Sequence, residues 1–177
     1  MKSVIFTEGS STTSETTEDQ LVRGFFQGGF LSVAALEESL AEYGETEIQI
    51  LSEEYGHIQG SQKLNELSEQ SVDSAESFES SLHSAASEAD VIVILLTTST
   101  FDSIVKDTWD TLMNEAESGS IWCIGASKSA LSSIDFSKLE QKDCDILTYE
   151  RVGVARIGSE TRERLLAKVE SRTPQKQ

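Results

Sequence analysis

The chain has 177 residues, of which 14 are Lys or Arg and 31 are Asp or Glu, for a formal net charge of −17. That length suits one domain with a single core, expected over residues 1–171, with 172–177 as a frayed tail. So acidic a body repels phosphates and argues against broad nucleic-acid binding. Its longest apolar run, VIVILL at 91–96, is too short to span a bilayer.

Five apolar, β-branched runs read as strands: SVIFT (3–7), IQILS (48–52), VIVILL (91–96), IWCIG (121–125) and DILTY (145–149). They are continuous rather than alternating, the pattern of strands buried on both faces. Helical spacing fills the intervals. Residues 18–43 carry apolar positions from Leu21 to Leu40, broken at Gly28-Gly29. Residues 73–88, rich in Ser and Glu, read as a solvated helix anchored by Phe78 and Leu82, with a mobile loop as the alternative. Residues 101–117 place Phe101, Ile104, Val105, Trp109, Leu112, Met113 and Ala116 at i, i+3, i+4 steps. Residues 159–171 follow with Ser159 as cap. Such alternation predicts a three-layer α/β sandwich around a mostly parallel five-stranded sheet, Rossmann-like or flavodoxin-like in order.

The charge is uneven. Residues 1–150 hold 7 basic and 28 acidic side chains; residues 151–177 hold 7 basic and 3 acidic ones. A halophile's solvated surface explains the acidic body, and a face for docking a protein partner is the alternative. Cys123 and Cys144 each sit in an apolar run, outside any C-x-x-C pattern, and are expected to be buried thiols. With His57 and His83 the only histidines, no metal site is expected. The opening MKSVIFT has no secretory pattern, so a soluble, cytoplasmic protein is expected.

Ligands of open parallel sheets bind outside the carboxyl ends of the strands. The segments leaving three of the five strands are dense in hydroxyls: 8–19, 97–101 and 126–133. Ser10, Ser11, Thr12 and Thr13 leave the first strand, and Thr97, Thr98 and Ser99 leave the third. Hydroxyls and helix N-termini together suit a small phosphate-bearing ligand. Neither a G-K-[ST] P-loop nor G-x-G-x-x-G is present. Arg151 and Arg156 interrupt an apolar run near Gly153 and Gly158, and Arg156 is the better candidate for binding an anion. No catalytic nucleophile stands out: there is no G-x-S-x-G elbow and no evident His partner for a serine. Glu8, Glu53 and Glu54 read as surface carboxylates.

The stretch ILSEEYGHIQG (50–60) resembles the "LSAKYG" turn of the YaaA-like α/β domains. GFFQGGF (24–30) and VGVARIGSETRERLL (152–166) resemble two further parts of that family in the right order. The resemblance rests on Ser52, Tyr55, Gly56, Gly153 and Gly158. It implies a nucleotide- or phosphate-recognising domain linked to nucleic-acid or nucleotide metabolism, of unknown reaction. There Tyr55 would cover a base or sugar, and Gly56 would permit the bend. Ser11-Thr12-Thr13-Ser14-Glu15-Thr16 also resembles the phosphate loop of flavodoxin-like proteins, with Ser99-Thr100-Phe101 and Ile124-Gly125 where further flavin loops fall. This second resemblance implies FMN as cofactor, electron transfer as function and Phe101 as a stacking ring. A non-catalytic interaction module is the third reading.

Overall fold

The structure, a computed structural model, describes residues 2–8, 30–52, 56–62, 74–150 and 159–172. All five apolar runs form strands: β1 (Lys2–Glu8), β2 (Glu45–Ser52), β4 (Val91–Leu95), β5 (Ile121–Ala126) and β6 (Asp145–Glu150), with a sixth, β3 (Gly56–Gln59), after β2. Among the described residues the sheet therefore has six strands where five were expected, in the order β3-β2-β1-β4-β5-β6. Every neighbouring pair is parallel except β2 with β3. Gly56, at φ 74°, takes a backbone conformation that favours glycine, and it pairs with Ser52 as the chain reverses. With the antiparallel edge strand set aside, the parallel strands run 2-1-3-4-5, the flavodoxin-like order.

The helices among the described residues are α1 (Phe30–Ala41), α2 (Ser74–Glu88), α3 (Thr98–Thr100), α4 (Trp109–Glu115), α5 (Lys128–Ser132), α6 (Ser137–Gln141) and α7 (Ser159–Arg172). A π-turn at Phe101–Val105 and a 3-10 turn at Lys106–Thr108 join α3 to α4. Val33, Leu36 and Leu40 of α1 and Leu165 and Val169 of α7 cover one face of the sheet, against Ile5, Ile48, Ile50 and Val93. On the other face, α2 and α4 pack on Val4, Phe6, Ile92, Ile94 and Trp122. Helix α2 is thus a true helix despite its serines, because Phe78, Leu82, Ala85 and Ala86 recur on one side and are buried. Each large anchor contributes about 1.5–3 kcal/mol.

Strand β2 departs from the expected doubly buried pattern. Ile48 and Ile50 face α1 and α7, but the alternate positions, facing α2, are Glu47 and Gln49. Cys123 is buried as expected, whereas Cys144 is only partly covered, its thiol reaching the Glu117 carbonyl at 3.3 Å. Among the described residues no helix is long and apolar enough to cross a membrane.

Candidate functional site

In a parallel sheet the strand order reverses where consecutive crossovers leave in opposite directions, and the crevice outside the carboxyl ends there is the natural ligand site. Here the reversal falls at β1, which lies between β2 and β4. Glu8 ends β1, Thr97 follows β4, Ser127 follows β5 and Ser52 ends β2. The in-register pairs Glu8↔Leu51 and Leu95↔Gly125 bring these exits to one edge of the sheet.

The centre of that edge is filled by a side chain of the protein itself. One Glu8 carboxylate oxygen accepts the Thr97 backbone N–H at 2.5 Å; the other accepts the Thr97 hydroxyl at 3.0 Å and the Thr100 hydroxyl at 2.6 Å. Glu8 thereby acts from a neighbouring strand as the glutamate of a capping box acts from within a helix. Its negative charge sits where a helix start is receptive to anions. Glu8, expected as a surface carboxylate, is half-buried and accepts these three hydrogen bonds.

Of the predicted residues, Thr97, Thr98 and Ser99 do lie at the mouth, with Thr97 held by Glu8 and Thr98 and Ser99 exposed. One strand over, Lys128 and Ser129 are exposed beside Ser127, whose hydroxyl accepts the Ala130 N–H at 3.3 Å. The third loop thus starts after Ala126 rather than at Ile124-Gly125. Ser52 and Gly56 meet at the β2–β3 reversal on the same edge. Ser10, Ser11, Thr12, Thr13, Tyr55 and Arg156 lie outside the described residues. Phe101, the expected stacking ring, is 0% exposed and belongs to the core around Phe6 and Trp122, which leaves no face free for a flavin.

No histidine partner for a hydroxyl is evident in the sequence, and among the described residues the fold supplies two. His57 of β3 lies between Ser77 of α2 (Nδ1 to Oγ, 2.7 Å) and Gln49 of β2 (Nε2 to Oε1, 2.7 Å). Burial holds its imidazole below the ordinary histidine range. His83 of α2 reaches the Glu115 carboxylate through Nδ1 at 3.0 Å and the Thr108 hydroxyl through Nε2 at 2.8 Å, tying α2 to α4. A groove of about 280 Å³ opens between α2 and strands β1 and β2, lined by Ser77, Ser81, Gln49, Glu47 and Lys2 among others.

No protein-family model matches the chain, so neither sequence resemblance gains a family assignment. No curated protein matches it either. Among solved structures, the chain is similar to diflavin flavoprotein A3 from Nostoc sp., at 11% identity and a TM-score of 0.44, over 95% of this chain and 88% of that one. It is also similar to a flavodoxin of Streptococcus pneumoniae TIGR4, at 12% identity and a TM-score of 0.42, over 96% and 94% of the two chains.

Proposed function

We propose that this chain is a flavodoxin-like binding domain that takes a small phosphate-bearing nucleotide, flavin mononucleotide first, at the carboxyl ends of β1, β4 and β5. The observation that carries this reading is the strand order, whose reversal at β1 marks the crevice where a doubly wound sheet holds its ligand. The exposed Thr98, Ser99, Lys128 and Ser129 supply donors at that edge. With Phe101 in the core, the isoalloxazine ring would be held by other residues. Were flavin bound there, one- or two-electron transfer would be its chemistry.

The test is titration of the purified protein with FMN, followed by flavin fluorescence. Saturable quenching, together with flavin absorbance in the purified protein, supports the reading. A colourless protein that leaves FMN fluorescence unchanged rejects flavin. Glu8 favours a second reading, an interaction module without a ligand at this edge, because its carboxylate already holds the start of α3. For that reading, mass spectrometry of the native protein would find no bound phosphate compound.

A further inference from the structure

The interface between α2 and the β2 edge of the sheet is polar where a helix–sheet contact is normally apolar. Helix α2 turns Ser77, Ser80, Ser81 and Ser84 toward Glu47 and Gln49, and the groove of about 280 Å³ separates them. That volume lies just below the roughly 300–1,000 Å³ of drug-sized ligand pockets, so only a small ligand would fit. Three of the lining side chains, Glu47, Gln49 and Ser77, are linked through His57 in a directed hydrogen-bond chain. Gln49 Nε2 lies 3.5 Å from a Glu47 carboxylate oxygen, which only accepts when ionised, so the Gln49 amide presents Oε1 to His57. His57 Nε2–H donates to that oxygen. Nδ1 therefore carries the lone pair and accepts the Ser77 O–H at 2.7 Å. Ser77 is exposed, so its oxygen lone pairs are open to a ligand.

We infer that Ser77 is an activated nucleophile with His57 as its general base, in a groove suited to short, polar carboxylic esters. Both hydrogen bonds fall within the 2.6–3.2 Å reach that base catalysis needs. Burial keeps His57 neutral, and so able to accept a proton, at neutral pH. Ser77 Oγ bonds to the ester carbonyl carbon as its proton passes to His57 Nδ1. The adduct collapses by breaking the bond to the alcohol, which leaves with that proton. Water then attacks the acyl-Ser77 by the same route and releases the acid. Gln49 is a positioning residue that fixes the imidazole tautomer. The groove shares no residue with the proposed nucleotide mouth.

The test treats the full-length protein with a tagged fluorophosphonate and locates the label by peptide mass spectrometry; turnover is followed with p-nitrophenyl acetate. The expected result is label on Ser77 ahead of every other serine. Labelling and turnover slow by roughly a hundredfold or more in His57→Gln. Ser77→Ala, a change at an exposed position, folds normally and takes up no label in that peptide. The rate rises with pH through a midpoint below about 6.5, the ordinary histidine value. Gln49→Leu shifts that midpoint, which a merely structural Gln49 would leave in place. Glu47, Lys2 and Glu88 are the charged groups lining the groove whose fields act on the midpoint. Label absent from Ser77 in the folded protein, or labelling unchanged in His57→Gln, overturns the inference. Both readouts are independent of FMN binding.

Discussion

Glu8 and Thr97 are 89 positions apart, yet one Glu8 oxygen accepts the Thr97 backbone N–H at 2.5 Å and the other its hydroxyl at 3.0 Å. A single carboxylate thus fastens the end of β1 to the start of α3. Hydrogen bonds to an ionised group contribute roughly 1.5–3 kcal/mol. Glu8→Ala should therefore lower stability by about 2 kcal/mol, seen as an earlier urea midpoint at unchanged slope. In the same variant an anion at the mouth meets one negative charge fewer, so FMN, if taken there, binds more tightly. An unchanged midpoint would mean that the contact is not made in solution.

Phe101→Ala separates a core ring from a flavin-stacking ring. The side chain is wholly buried, so its loss leaves a cavity and costs about 3–5 kcal/mol. The expected outcome is a large fall in melting temperature. Loss of flavin affinity at constant stability would restore the stacking role.

The two thiols should differ in reactivity. Burial pushes Cys123 up to about 12, with Arg164 opposing in part, so almost no thiolate exists at neutral pH. Cys144 is partly exposed. Iodoacetamide should modify Cys144 in the native protein and Cys123 only after unfolding, as peptide mass spectrometry would show. Equal rates in native conditions would contradict the packing around β5.

His57 gives stability a pH dependence of definite sign. Burial lowers its folded-state value below the unfolded one near 6.5, so the unfolded chain binds more protons between the two. The penalty is absent above about pH 6.5 and grows as pH falls toward the folded value. Relative to His57→Gln, the wild type should therefore lose stability on acidification, so that denaturation midpoints aligned at neutral pH separate as pH falls below about 6.5. Parallel curves would show that His57 is as solvated as in the unfolded chain.

The strands were legible because each is a compact apolar run, and a run such as VIVIL in β4 announces burial without reference to any partner. The first and last helices follow from apolar spacing in the same way. β3 was missed because GHIQ has four residues, and two of them are polar. In β2, IQIL looks doubly apolar until Glu47 and Gln49 are seen to share one face. Phe101 illustrates a deeper ambiguity: an aromatic at a strand exit suits a stacking role and a core role equally, and only its complete burial in the core that also holds Phe6 and Trp122 decides. The contacts of Glu8 with Thr97, and of Ser77 with His57, join residues 89 and 20 positions apart. No local pattern encodes such pairs, so the mouth was legible as a place and its occupant was not.

The polar seam beneath α2 also bears on how the molecule breathes. Around β4 and β5 the sheet is sealed by large rings, with Trp122 fully buried and Trp109 packed edge-on against it at 6.3 Å. At the other end, β3 contributes four residues, and the inner face of β2 meets serines across a gap. Local opening draws on regions with few apolar contacts. Amide hydrogens of β3 and the α2-facing half of β2 should then exchange with deuterium first, those of β4 and β5 last. The same asymmetry makes the β4–β5 ladder the natural place for the chain to begin to fold, with the β2–β3 hairpin docking as a late arrival.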